Sequence, residues 1–233
     1  MKNKLELALV IPVFNEEEII KTVIKKWLET TKKINSKIII INDGSIDKTK
    51  EIIKSIITKR IILINKKNSG HGPTVTYGYK AALKLKPKYV FQVDSDDQFH
   101  SSDFAYFWKN RKNYDFIIGH RFVRNDPLHR LIITRVLKLI NLVFFGVYVK
   151  DINVPFRLIG FNVLKESMKV ITSQNNVPNI FLSLFAFKNF NCHTKIIKHK
   201  KRVTGKVILV NFNLIKFCFK SLFELIIFRI TKF

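Results

Sequence analysis

Apolar runs of strand length recur along the first hundred residues, at Leu7–Val13, Ile38–Ile41, Ile61–Ile64 and Tyr89–Val93. Between them lie longer segments with helical spacing, around Glu17–Thr30, Lys48–Ile57 and Thr74–Leu85. The runs are continuous rather than alternating, which is the pattern of strands covered on both faces. Strands of that kind separated by helices predict an α/β fold, with a mostly parallel sheet flanked by helices. Ligands of such sheets sit beyond the carboxyl ends of the strands, so the residues that follow each run are the ones to inspect.

Those residues are polar, small or acidic in all four cases: "PVFNEE", "NDGSIDKT", "NKKNSGHG" and "DSDDQF". Pro12 and Asn15 are expected to turn the chain after the first strand, with Glu16 near a helix start. Asp43, Gly44 and Ser45 predict a tight turn after the second, and Asp47 a cap on the following helix. Gly70 and Gly72 would allow close backbone approach at the start of the third helix, a seat for phosphate. After the fourth strand, "FQVDSDDQF" crowds Asp94, Asp96 and Asp97 together. Like charges crowded this way call for a cation. Asp94 and Asp96, on either side of Ser95, can give oxygens to a hard divalent ion, Mg²⁺ or Mn²⁺, whose other positions are filled by water and phosphate.

Composition changes this picture little. The chain has 233 residues, 47% of them hydrophobic, enough for one substantial core. A formal net charge of +25 favours an anionic partner, whether nucleic acid, an anionic membrane surface or a phosphorylated substrate. A nucleic-acid-binding module would account for the charge but not for four polar strand ends. The six histidines show no metal-ligand spacing, and His71 alone falls beside the predicted crevice. There is no P-loop and no Ser-His-Asp order. Cys192 and Cys218 lie in separate segments and suit reduced thiols in a cytosolic setting. The apolar N-terminal run ends in Pro12 and acidic residues, as a strand does and a signal peptide does not.

In order along the chain, "LVIPVFNEEE", "IIIINDGSIDKT", "NSGHGPTVTYG", "FQVDSDDQF", "GHR", "DINVPFRLIG" and "KKRVTGK" resemble the family-2 glycosyltransferases of the GT-A fold. Within that family the sequence is most similar to the branch typified by dolichol-phosphate-mannose synthase, which moves a sugar from a nucleotide to a polyisoprenyl phosphate. The resemblance implies a Rossmann-like GT-A domain over 1–206 and a metal-dependent, inverting transfer. The substrates it implies are a nucleotide-diphosphate sugar and a polyprenyl phosphate, dolichyl or undecaprenyl. Pro12, Phe14 and Glu16 would line the nucleotide pocket, and Asp43 would meet the base or ribose. Asp94 and Asp96 would bind metal and diphosphate, with Ser95 giving backbone contacts and Gln98 matching a glutamine just beyond. Arg121, Asp151 and Arg157 would face the acceptor phosphate, and Arg202 and Lys206 would close over the leaving diphosphate. Asn153, Val154 and Pro155 depart from the small residue and glycine usual in "DINVPFR", and Phe14 replaces a common tyrosine. A relative that glycosylates an envelope polysaccharide or a lipid-linked saccharide is the alternative. Its hydroxyl acceptor would need a general base, for which Asp151 is the one candidate.

Two segments bear on the acceptor's source. In "LHRLIITRVLKLINLVFFGVYV", Arg130, Thr134, Lys138 and Asn141 recur on one helical face, and in 207–233 Asn213, Lys216, Lys220 and Glu224 do the same. Neither reaches the roughly 18 unbroken apolar residues of a spanning helix. Residues 207–233 are therefore expected to form an amphipathic segment lying on the membrane surface, with Phe212, Phe219, Phe223 and Ile227 inserted. The expected location is peripheral, on the cytoplasmic face.

Overall fold

The computed structural model describes residues 4–121, 140–172, 175–200 and 212–232. The elements are β1 (Leu7–Val13), α1 (Ile20–Thr30), β2 (Ser36–Asn42), α2 (Thr49–Ser55), β3 (Ile61–Asn65), α3 (His71–Lys84), β4 (Tyr89–Val93), α4 (Phe104–Asn110), β5 (Phe116–Arg121), β6 (Phe156–Gly160), α5 (Phe161–Ser167), α6 (Pro178–Asn189), β7 (Cys192–Ile197) and α7 (Phe212–Lys232). A further helical turn covers 140–145.

The strands form one sheet of seven in the order β3-β2-β1-β4-β6-β5-β7. β3, β2, β1 and β4 are parallel neighbours, as the continuous apolar runs predict. β6 runs antiparallel between β4 and β5, and β7 closes the far edge parallel to β5. Helices cover both faces because each has an apolar stripe to bury. In α1 the buried residues are Ile20, Val23, Ile24 and Trp27, spaced as one helical face. Trp27 meets Phe91 of β4 at 5.4 Å between ring centroids, and Phe91 also packs edge-on against Phe104, Phe107 and Phe156. This aromatic cluster lies directly beneath the acidic loop and makes the end of β4 a rigid platform.

Pro12 is not in a turn. It lies inside β1, opposite Ile41 of β2. The Val13 carbonyl accepts from the Asp43 N–H on the β2 side. By the two-residue period Pro12 faces the other side, where pairing with β4 has already ended at Val10. The missing N–H therefore costs no ladder bond, and the turn is made by Asn15, at φ 52°.

The C-terminal helix both packs and faces outward. Leu225 and Phe228 are buried, and Phe228 lies 4.8 Å from Phe181 and 6.1 Å from Phe145. Phe219, Phe223 and Ile230 on the same helix are 70%, 64% and 79% exposed. The 140–145 turn corrects an expectation: Asn141 is buried, while Leu142, Val143 and Phe144 face outward. Arg130, Thr134 and Lys138 of that stripe lie outside the described residues. Among the described residues no helix is long and apolar enough to cross a membrane.

Candidate active site

The four strand ends meet at one sheet edge and are laced together by side chain to backbone bonds. Asn15 accepts from the Ile46 N–H through Oδ1 and donates its own N–H to Ser45 Oγ, each at 3.0 Å. Glu16, buried, donates its N–H to Thr49 Oγ1 at 2.8 Å. Asp47 caps the second helix through the Thr49 N–H at 3.0 Å, as expected. Phe14 is half-buried beside this junction.

Asp43 is buried at the end of β2. Its carboxylate accepts from the N–H groups of Ser69 and Gly70, at 3.0 and 2.9 Å, and pairs with the Lys66 ammonium. Two glycines make this possible. Gly44, at φ 71°, would bring a Cβ to 2.8 Å from the Asn68 nitrogen, and Gly70 takes φ 91°. Asp43 thereby shapes the loop leading into α3.

α3 opens with His71, whose Nε2 lies 3.1 Å from Asp94 Oδ1. The same carboxylate oxygen accepts from Gln92 Nε2 at 3.0 Å. Gln92 is fully buried in β4, and its Oε1 accepts from Asn179 Nδ2 at 3.2 Å. Asn179 Oδ1 in turn accepts from the Tyr79 hydroxyl at 2.8 Å. Burial pushes the Tyr79 phenol well up, although Arg157 opposes the shift, so Tyr79 remains a donor. The His71 ring is 57% exposed, so loss of water around it lowers its pKa only in part, and the carboxylates of Asp94, Asp96 and Asp43 outweigh that and leave the net direction up.

Beyond Asp94 the chain turns through Asp97 at φ 52°. Asp97 is held between the ammonium groups of Lys26 and Lys200, which outweigh burial and keep its pKa low. Asp96 Oδ1 accepts from the Gln98 N–H at 3.2 Å. Gln98 then ties the loop to the segment before residue 201: its carbonyl accepts from the Lys200 N–H at 2.8 Å and its Nε2 donates to the Lys200 carbonyl at 3.2 Å. Phe99 bridges His199 alongside. Arg202 and Lys206 lie outside the described residues, but the chain that leads to them starts on the acidic loop.

A cavity of about 230 Å³ opens here, lined by His71, Asp94, Asp96, Gln98, Phe99, Arg121, Asn153 and Pro155. Arg121 comes from the end of β5, and Asp151 grips it by a fork, with Nε to Oδ2 at 2.7 Å and Nη2 to Oδ1 at 2.9 Å. The structure thus brings Asp94, Asp96, Gln98 and Arg121 to one cavity, with Asp151 behind Arg121. Pro12, Phe14, Glu16, Asp43 and Ser95 are at the same sheet edge but outside the cavity lining. The two carboxylates are hard oxygen donors suited to Mg²⁺ or Mn²⁺. Among the described residues no cluster of three or more His, Cys, Asp or Glu could hold a metal by itself. The donor set therefore fits an ion completed by water and substrate oxygens.

Arg157 requires correction. It is 0% exposed, and its guanidinium donates to the carbonyls of Ile152, Val154 and Asn179 and to Ser183 Oγ. Burial lowers its pKa, and these bonds commit its donors to the protein. It braces the 152–155 loop and does not reach an acceptor phosphate. Gln92 was missed by the sequence reading, although a glutamine inside "YVFQV" is the polar interruption that could have disclosed it.

This mostly parallel seven-stranded sheet flanked by helices is the GT-A fold. Residues 8–170 match Glycosyl transferase family 2, and the chain belongs to that family. It is 34% identical over 173 residues to the uncharacterized protein MJ1222 of Methanocaldococcus jannaschii, covering 70% of this chain and 68% of that one. It is 28% identical over 191 residues to the dolichyl-phosphate beta-glucosyltransferase ALG5A of Trichomonas vaginalis, covering 73% and 57%. A UDP-N-acetylglucosamine–dolichyl-phosphate N-acetylglucosaminyltransferase of Methanococcus voltae is 28% identical over 196 residues, covering 75% of each chain. Among solved structures, Mycobacterium tuberculosis glucosyl-3-phosphoglycerate synthase with Mn²⁺ and UDP-glucose superposes with a TM-score of 0.63 at 13% identity, covering 97% and 79%. Staphylococcus aureus TarS 1–349 does so at 0.58 and 17%, covering 84% and 59%.

Proposed function

We propose that this protein transfers a sugar from a nucleotide-diphosphate sugar to a polyprenyl phosphate at a membrane surface, with inversion at the anomeric carbon. The observation that carries the reading is the cavity in which Asp94 and Asp96 lie across from an arginine locked by Asp151. An acceptor phosphate monoester has a second pKa of about 6 and is ionised at neutral pH. Its oxygen can attack without a general base, and the carboxylate that could have served as one, Asp151, is instead paired with Arg121. That pairing disfavours a hydroxyl acceptor such as a polysaccharide. Relatives named for dolichyl phosphate support the same acceptor class.

In this reading Asp94 and Asp96 would hold Mg²⁺ or Mn²⁺, which would offset charge on the departing diphosphate. Gln92 and His71 fix one oxygen of Asp94. Arg121, its Nε–Nη2 edge held by Asp151, would orient the acceptor phosphate as a fixed positive charge at the cavity wall. As an acceptor oxygen bonds to the anomeric carbon, the bond to the diphosphate breaks on the opposite face. Arg202 and Lys206 are proposed to stabilise the leaving charge. Pro12, Phe14, Glu16, Asp43 and Ser95 are proposed to seat the nucleotide. The exposed Phe219, Phe223, Ile227 and Ile230, flanked by exposed Lys216, Lys220 and Arg229, would rest on anionic lipid at the cytoplasmic face.

The test compares a short water-soluble prenyl phosphate with the matching prenol. Transfer to the phosphate and none to the alcohol is expected, whereas equal transfer to both would remove the argument from Asp151.

A further inference from the structure

Residues 207–233 contain a single acidic side chain, Glu224, in a helix whose other charged residues are all basic. A carboxylate on a helix that rests on anionic lipid would be repelled if it faced the lipid. Glu224 instead turns inward to the 175–176 loop. Its Oε2 accepts from the Asn176 N–H at 3.0 Å and from Asn175 Nδ2 at 3.4 Å, and its Oε1 accepts from Asn176 Nδ2. Hydrogen bonds to a carboxylate are stronger than neutral ones, and three converge here.

The same loop touches the start of α3. A Cβ on Gly72 would overlap the Asn176 carbonyl oxygen and come within 2.6 Å of the Asn175 carbonyl oxygen, so only glycine lets the two backbones meet. Gly72 follows His71, which contacts Asp94. A continuous line of contacts therefore runs from α7 through Glu224, Asn175–Asn176 and Gly72 to His71 and Asp94.

We infer that Glu224 is a positioning residue for the donor side of the cavity. Through Asn175 and Asn176 it holds the first turn of α3, and with it His71, against the acidic loop. The helix proposed to lie on the membrane is by this inference also part of the catalytic framework. The inference rests on the proposed function only for the meaning of that cavity; the contact itself does not depend on it.

The experiment is Glu224→Ala in the full-length chain, with amide exchange followed at 70–76 and binding of UDP and GDP measured with Mn²⁺. Exchange at 70–76 should quicken about tenfold, equivalent to about 1.4 kcal/mol, and nucleotide binding should weaken by about the same factor. Cosedimentation with vesicles of anionic and zwitterionic phospholipid should stay within about twofold, since the outward face is untouched. Glu224→Gln, which keeps one acceptor for the Asn176 N–H, should recover part of both effects. If Glu224→Ala does not fold, Asn176→Ala gives the same readouts with a smaller change, about threefold, because its backbone N–H still reaches Glu224. Unchanged exchange at 70–76 in a folded variant overturns the inference, as does a loss of vesicle binding with nucleotide binding intact. If neither nucleotide binds the unmodified protein, the proposed function fails, and the exchange measurement alone still decides the role of Glu224.

Discussion

Replacing Gln92 with methionine isolates the one buried amide that orients Asp94. Gln92 is fully buried, and methionine matches its length and volume, so no cavity opens. Two bonds are lost. The Gln92 amide no longer donates to Asp94 Oδ1, and the Asn179 amide loses its acceptor inside the protein. Tyr79 keeps its better partner, Asn179 Oδ1, so the damage stops there. A buried donor left unsatisfied costs about 1–3 kcal/mol, which in a chain of this size is a fall in Tm of about 2–12 °C. Catalysis should suffer more than stability. Removing an outer partner of a metal-binding carboxylate typically costs about 10–100-fold in metal affinity or activity. The assay is sugar transfer as a function of Mn²⁺ concentration, run well below the variant's Tm. Half-saturating Mn²⁺ should rise by that factor and kcat/KM fall with it. A variant that melts earlier but keeps kcat/KM and metal dependence within about twofold would show that Gln92 is ordinary core, and would refute the orientation argument.

Arg157→Met should lower stability by about 3 kcal/mol, because the 152–155 loop loses its brace; chemical denaturation checks this. An intact Tm with a raised acceptor KM would restore the phosphate role the structure removes. Phe219→Ser with Phe223→Ser should abolish vesicle flotation while leaving turnover of a short soluble acceptor within about twofold, and unchanged flotation would place the contact elsewhere. Burial, with Asp115 adding to it, pushes the Cys192 thiol from an ordinary 9.0 up to about 12. The folded thiol should resist iodoacetamide at pH 8 and react once unfolded. The unfolded thiol ionises first, so this contribution to stability is present below pH 9 and lost as the pH rises toward 12.

The parallel half of the sheet was legible because strands buried on both faces leave continuous apolar runs, and ligands gather at their carboxyl ends. The acidic loop was legible for the same reason: three aspartates directly after a buried strand set repelling charges at the edge where such sheets bind their ligands. β5, β6 and β7 were not anticipated, since "FIIGHR", "FRLIG" and "CHTKII" are short and broken by polar residues. Arg121 and Asp151 each pointed toward a phosphate, but nothing in a separation of 30 residues indicates that they form a fork with each other. Arg157 was misplaced because its motif gives sequence position and not side-chain direction. Pairing of β6 opposite Gln92 sends its guanidinium into the interior. Glu224 read as one member of a polar stripe, and its partners lie 48 and 49 residues away, beyond the reach of any local pattern.

The central claim is a metal-dependent transfer of sugar onto a lipid phosphate, with Asp94 and Asp96 holding the ion. It is tested most directly by incubating the protein with a panel of radiolabelled UDP- and GDP-sugars, polyprenyl phosphate and Mn²⁺, and counting label in the organic phase. One donor should label the lipid. EDTA should abolish the signal, added Mn²⁺ or Mg²⁺ should restore it, and Asp96→Asn should lower it by about two orders of magnitude or more with the fold intact. Full transfer in EDTA, or label recovered only in water-soluble saccharide, would contradict the account.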